Sequence, residues 1–501
     1  MEIIVNSILM VVQPENMLWL FIGTFIGVVF GAIPGINGVM AAVLFVPFTY
    51  HLGPIPSILV LIGIYQGSNF GGCITAVLFN IPGDPAAICT TFDGHPMAKR
   101  GEAGKAIGSG LFASSIGGLL GTIVLVTVGP VIARFALHLG AVEVFTFIFL
   151  GLTTVSSIAG SSTLNGFISL FFGLLIASIG LSPMTGFPRF IFGSNYLLGG
   201  MDFIVALMGL FALTEVFDRL TTKGISYSVK GLEKTRTELP RWSELKRYLI
   251  STIPRSAVIG TIIGAIPGAG ATLGAILSYG VTKQFSKEPH KFGTGMPEGV
   301  VAPECANNAC AAGAVMTMLT LGIPGSATTA IILGAFFIAG LNPGPTIFTT
   351  NPEIVHACFG GMLIVNFMVL FFGFLLTRIY VKAMGLPVYI LDPLIIVLSY
   401  LGVFSIRNSF ADVMIMTVFG IIGYVMRRMD ISVGPLVLAL VLGPIAEKNF
   451  VISMRISSNG LLIFFTHPVS LIMLILSALS LAIPLMRELY NKKRERRTEA
   501  A

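Results

Sequence analysis

Two strongly apolar stretches of this chain are interrupted by Pro-Gly in the same local setting: Gly27-Val-Val-Phe-Gly31-Ala-Ile-Pro34-Gly35 and Gly260-Thr-Ile-Ile-Gly264-Ala-Ile-Pro267-Gly268. A second pair follows in the same order, Asn80-Ile-Pro82-Gly83-Asp84 and Gly322-Ile-Pro324-Gly325-Ser326. Proline removes a backbone donor and clashes with the preceding turn, and glycine adds freedom, so a helix that reaches Pro-Gly must open. In hydrocarbon an open backbone group is costly unless it is buried in protein or faces a wet cavity. Matching interruptions in the two halves of a membrane chain therefore point to a transporter's binding site.

The rest of the chain fits a membrane setting. Its 501 residues are 54% apolar and 11% charged, with mean hydropathy +0.90, which belongs to a polytopic membrane protein. Runs long enough to cross about 30 Å of hydrocarbon recur from near residue 17 to residue 487. The net charge of +7 does not imply nucleic acid, because the basic residues sit at run ends and in the tail Lys492-Lys493-Arg494-Glu495-Arg496-Arg497, as juxtamembrane anchors do. The first apolar run is too long for a signal-peptide core, so no cleavage is expected. Cys73, Cys89, Cys305, Cys310 and Cys358 lie in or beside apolar runs without a CxxC pair and read as packing residues. HExxH, GxSxG and P-loop patterns are absent, so neither an enzyme nor a cofactor or transition-metal site is expected.

The copies lie 233 residues apart at the first motif and 242 at the second. Lys and Arg orient them, since short cytoplasmic loops collect basic residues. Residues 1–16 and 50–56 carry none, whereas Arg241, Lys246, Arg247, Arg255, Lys283, Lys287 and Lys291 flank the equivalent segment; beyond the second motif the bias reverses, with Lys99, Arg100 and Lys105 against none in 341–355. Each half is thus expected to be the other turned over, with the N-terminus periplasmic and the C-terminus cytoplasmic. The predicted fold is an all-α polytopic membrane protein with inverted-topology repeats, re-entrant hairpins and broken transmembrane helices, divided into an elevator-like transport unit and a scaffold. Residues 1–220 form the first repeat, 221–254 a basic cytoplasmic linker, 255–458 the second repeat and 459–501 a final span and basic tail. The Pro34 and Pro267 segments are either re-entrant or fully spanning. Asp93-Gly94-His95-Pro96 reads as a turn after the broken crossing.

Just past each break stand small and hydroxyl residues. Asp84-Pro85 and Ser326 read as helix caps, and a half-helix N-terminus at mid-membrane also suits an anion such as a carboxylate. Candidate substrate-binding residues are Gly35, Asn37, Gly38, Gly83, Asp84, Gly268, Gly270, Thr272, Gly325, Ser326 and Thr328. Carbonyls at the opposite ends of the breaks, with nearby amides, suit a sodium ion; candidates for cation binding or coupling are Ile33, Pro34, Ile266, Pro267, Glu304, Asn307 and Asn308. Glu304 reads either as a coupling group or as a cap of the helix that Pro303 announces. Gln66-Gly67-Ser68-Asn69 forms the uncharged counterpart in the first half.

Taken together, Gly31-Ala-Ile-Pro34-Gly35, Ile81-Pro82-Gly83-Asp84-Pro85-Ala86-Ala87, Asp93-Gly94-His95-Pro96-Met97-Ala98, Ile266-Pro267-Gly268-Ala269-Gly270-Ala271-Thr272, Ala302-Pro303-Glu304-Cys305-Ala306-Asn307-Asn308 and Leu319-Thr-Leu-Gly-Ile-Pro324-Gly325-Ser326 closely resemble the large membrane subunit of tripartite tricarboxylate transporters. The resemblance covers essentially the whole chain. It implies a bacterial inner-membrane importer driven by a sodium or proton gradient. Its partners would be a small membrane subunit of about four helices and a periplasmic binding protein delivering a carboxylate such as citrate. An elevator-like movement favours a homodimer. The rival readings are an anion channel sharing the same breaks and a non-transporting receptor or scaffold for a carboxylate-binding protein.

Overall fold

The computed structural model describes residues 2–33, 36–158, 162–182, 184–221, 236–377, 379 and 388–499. These are almost entirely helical, and the only strands among them are Gly180–Leu181 and Pro188–Arg189, which pair antiparallel. Eight of the described helices are long and apolar enough to cross a membrane. Large apolar side chains stay exposed along them, among them Phe21, Phe367, Leu401 and Met414, as lipid-facing surfaces require.

In chain order the helices are α1 (Glu2–Val12), α2 (Pro14–Gly31), α3 (Gly38–Thr49), α4 (Pro54–Phe79), α5 (Ile88–Lys99), α6 (Ala103–Ala136), α7 (Ala141–Ile158), α8 (Thr163–Ala177) and α9 (203–221, with a π segment at Met208–Leu213). They continue with α10 (Trp242–Ala265), α11 (Gly270–Gln284), α12 (Glu298–Leu321), α13 (Ala327–Ile338), α14 (Pro352–Leu375), α15 (Val388–Arg407), α16 (Phe410–Arg428), α17 (Gly434–Ile456) and α18 (Pro468–Glu499). Two compact units result: residues 1–134 with 211–413, and residues 135–210 with 414–501. Each half of the sequence therefore contributes its break-containing part to unit 1 and its later part to unit 2.

Unit 1 is organised around α4 and α12, which are buried along nearly their whole lengths. Helix α2 lies against α4 through glycines one turn apart: Gly23 meets the Val60 backbone, Gly27 that of Ile64 and Gly31 that of Ser68. Small residues at this spacing let two backbones approach, the usual way to gain packing between membrane helices. Both residue numbers rise together, so α2 and α4 run parallel. Helix α3 runs the other way, with Gly38 beside Ser68 and the Thr49 carbonyl accepting from Ser57 Oγ at 2.9 Å. Helices α2 and α3 are thus antiparallel to one another.

Helix α4 then ends at Asn80, in the left-handed conformation at φ 58°. The chain doubles back about two turns, roughly 10 Å, to set Gly83 against the Gly31 carbonyl and Thr75 before α5 begins. The second half repeats these contacts. Gly260 and Gly264 of α10 meet the backbones of Ala306 and Cys310 on α12, Gly322 is left-handed at φ 72°, and Gly325 returns against the Gly264 carbonyl and Ala314. The offsets are again 233 and 242 residues.

Unit 2 is held by α8 packing its Gly173 on Leu436 and Ala439 of α17, by Ser169 Oγ donating to the Ser432 carbonyl at 2.6 Å, and by Phe145, Phe450 and Phe464. Arg189 reaches Glu447 through two bonds of 2.8 and 3.0 Å, and His467 Nδ1 lies 2.6 Å from Glu143 Oε1.

Three local expectations change. Asp93-Gly94-His95-Pro96 is not a turn: it lies inside α5, because the Asp93 carboxylate that would favour a turn is engaged elsewhere. A helix starts at Trp242, inside the stretch read as linker, with the Arg241 N–H donating to Glu244 Oε2 at 3.0 Å. The final run is bent by 92° where Pro468 withholds its backbone donor.

Candidate functional site

Four helices start where the breaks lie, all in unit 1. Asn37 caps α3, accepting from the Met40 N–H at 2.9 Å, and Gly38 behind it packs on Ser68. Asp84 caps the 3-10 turn Pro85–Ala87 that leads into α5, accepting from the Ala86 N–H at 2.9 Å. Ser326 caps α13 in a reciprocal arrangement with Thr329: the Thr329 N–H donates to Ser326 Oγ at 3.2 Å, and the Ser326 N–H to Thr329 Oγ1 at 2.8 Å. Such pairs satisfy two orphan donors at once. Helix α11 starts without a side-chain cap; Gly268 and Gly270 are both left-handed, and the Gly268 N–H donates to the Gly325 carbonyl at 3.1 Å.

The halves interleave here. Helix α3 packs on α13, and α11 on the turn at Pro85–Ala87. Tyr65 of α4 places its hydroxyl 3.1 Å from Ser326 Oγ, tying the first broken crossing to the start of the second. The turn at Pro85–Ala87 that Asp84 caps packs on both α4 and α12, so both crossings meet beside it. Of the remaining candidates, Thr272 is half-buried in the first turn of α11 and Thr328 buried in that of α13, while Ile33 is buried beside its break and Ile266 exposed at its own. Pro34 and Gly35 lie outside the described residues.

Glu304 does not cap a helix. Pro303 is accommodated inside α12, and Glu304 in its second turn is fully buried. It accepts from Thr90 Oγ1 of α5 at 2.6 Å and from Ser114 Oγ of α6 at 3.1 Å, with the Cys73 sulfur beside it. Asn308 donates to the Glu304 backbone carbonyl at 3.2 Å. Asn307 is buried with both amide atoms lacking a hydrogen-bond partner among the described residues, and so is Gln66; the Asn69 Nδ2 is likewise unpartnered. Buried amides left this way are costly and uncommon in a folded protein.

Sequence reasoning missed Tyr65 and Ser114, which look like ordinary span residues until their partners are known. It also missed Asp93. This buried carboxylate accepts from the N–H groups of Gly293, Gly295 and Met296 at 2.9, 2.8 and 2.7 Å and from Tyr279 Oη at 2.9 Å. Gly293 and Gly295 have φ of 90° and 105°, which turns successive amides to one point as an anion nest. Arg100 adds bonds to the Thr294 and Gly295 carbonyls at 2.6 and 2.8 Å, so it secures this loop.

The chain is 33% identical over 480 residues to an uncharacterised 52.8 kDa protein from the TAR-I ttuC′ 3′ region of Agrobacterium vitis, covering 96% of this chain and 95% of that protein. A second Agrobacterium vitis protein, from the TAR-II ttuC′ 3′ region and also uncharacterised, is 36% identical over 234 residues, or 47% of this chain and 97% of that protein. No solved structure matches. The sequence model of the tripartite tricarboxylate transporter TctA family matches residues 17–438, which includes the Pro-Gly breaks and the four helix starts beside them. On that match the chain belongs to the TctA family, as a multi-pass membrane component of a tripartite tricarboxylate transport system rather than an enzyme.

Proposed function

We propose that this chain is the permease of a binding-protein-dependent secondary transporter that imports a small carboxylate, a tricarboxylate such as citrate or a related organic acid, together with sodium or protons. The observation that carries the reading is the Tyr65–Ser326 contact of 3.1 Å, because it brings a helix start of one half to the broken crossing of the other inside a buried core. The helix starts differ in chemistry. Asp84 fills its helix start with a carboxyl of its own, whereas Asn37 and Ser326 offer an amide and a hydroxyl, so the substrate's carboxylate is assigned to the starts of α3 and α13 with Gly38, Gly325 and Thr328. A cation is assigned to the region between Asp84, Asn307 and the carbonyls of the breaks.

On this reading the halves are inverted repeats, the N-terminus is periplasmic, the C-terminus cytoplasmic and the membrane the bacterial inner membrane. The basic residues flanking the second half and closing the chain support this orientation. Unit 1 is the part that carries substrate, in the elevator-like manner expected of hairpins and broken helices. The family's tripartite organisation supports a periplasmic binding protein and a small membrane subunit as partners; a homodimer is proposed with them.

The test is citrate uptake into vesicles holding the chain with its two partners, under imposed sodium and proton gradients. Saturable, gradient-driven accumulation that falls in Ser326→Ala and Asp84→Asn at normal expression supports the reading. Flux that never accumulates citrate indicates a channel, and citrate binding without flux a receptor.

A further inference from the structure

Glu304 has an environment unlike that of the breaks. Its carboxyl is fully buried and receives two neutral hydroxyls, Thr90 and Ser114. Among the described residues, the titratable and charged groups around it provide no compensating positive charge. Cys73 faces it from α4 and Asp84 acts on it from the turn before α5. Asp93, farther along α5, is engaged by the 293–296 amides and Tyr279. On α12 itself Glu298 pairs with Arg247 of α10, and Arg255 of α10 lies over the Phe285 ring.

A carboxyl buried without a facing cation is relieved by binding a proton, while hydroxyls that donate to it support the ion, so the surroundings of Glu304 offer something to both forms. Sodium is a poor resident, because such sites are built from unwound backbone carbonyls. Around Glu304 the helix is unbroken, and the nearby Ala302 and Glu304 carbonyls accept from Ser278 and Asn308.

We propose that Glu304 is a proton-binding site whose occupancy accompanies substrate movement. The carboxylate takes a proton from hydronium to become a neutral acid, leaving water, and returns it to water on the opposite step. This rests on the transport reading and separates the roles of its two ion candidates: cations at the breaks, a proton at Glu304.

Infrared difference spectroscopy of the full chain in lipid, between mildly alkaline and mildly acidic buffers, tests the site without needing transport. A carboxylic-acid C=O band is expected in the wild type, lost in Glu304→Gln, displaced in Glu304→Asp and retained in Asp84→Asn, with monodisperse elution confirming folding. An unchanged band in Glu304→Gln, or a carboxylate at Glu304 that responds only to sodium, overturns the proposal. In vesicles with the partners, accumulation of citrate driven by a proton gradient is expected to be lost in Glu304→Gln. Wild-type-like accumulation in that variant also overturns it. No citrate flux in the wild type counts against the transport reading, and the infrared result then decides the proton site alone.

Discussion

Gly325 rests against the carbonyl oxygen of Gly264, where a Cβ would come within 2.6 Å of that oxygen. Gly83 stands in the same relation to Gly31, where the corresponding distance is 2.5 Å. In both halves the second break is seated on the end of the first.

Adding one methyl group at either seat forces backbone apart. Gly325→Ala and Gly83→Ala are each expected to cost about 1–3 kcal/mol, as overpacking does. Thermal unfolding in detergent, followed by size-exclusion recovery, measures this. Gly270→Ala is the contrast: its φ of 72° is strained for alanine, at about 1–2 kcal/mol, but no atom lies within reach of the new Cβ.

Tyr65→Phe removes a single hydroxyl, at a cost of about 1 kcal/mol. Ser326→Ala loses the same contact and a helix cap, worth about 0.5–2 kcal/mol. The double variant should therefore be less destabilised than the sum of the singles. Strict additivity in the melting data would mean that the two hydroxyls do not interact.

Asp93 fills a nest of three amides, and bonds of this charge-assisted kind are worth about 1.5–3 kcal/mol each when broken. Asp93→Ala is expected to release the loop around 286–297, exposing Lys287 and Lys291 to trypsin many-fold faster than in the wild type. Asp93→Asn retains an acceptor and should fall between. Equal cleavage rates in all three proteins would remove the loop-holding role.

An unpaired buried amide costs about 1–3 kcal/mol, so Asn307→Leu should leave thermal stability unchanged or raised. If Asn307 serves a cation, the same variant loses at least tenfold in sodium-dependent citrate uptake. A variant that is both less stable and fully active would assign Asn307 to packing instead.

The breaks, their pairing and most spans were legible because Pro-Gly acts locally: it forbids a continuous helix whatever surrounds it. The caps at Asp84 and Ser326 were legible for the same reason. Asp93 was misread because an Asp-Gly pair favours a turn only while its carboxylate is free to bond nearby backbone, and here it is taken by amides 200 residues away. Glu304 was picked out by cost alone, but its partners Thr90 and Ser114 come from two other helices, and no spacing rule joins them. Tyr65 carried no signal, since a tyrosine in an apolar run gains meaning only from the hydroxyl it meets.

The near-complete burial of α12 bears on how the chain is made. Glu304, Asn307 and Asn308 make it a weak candidate for insertion alone, since polar residues at a helix centre oppose transfer from the translocon to lipid. What it leans on is a docking face already in place, the glycine surface of α10, which is synthesised earlier with α11 between them. Biogenesis of the second half therefore has an order imposed by packing, and a lesion in α10 such as Gly264→Leu would surface as α12 failing to integrate.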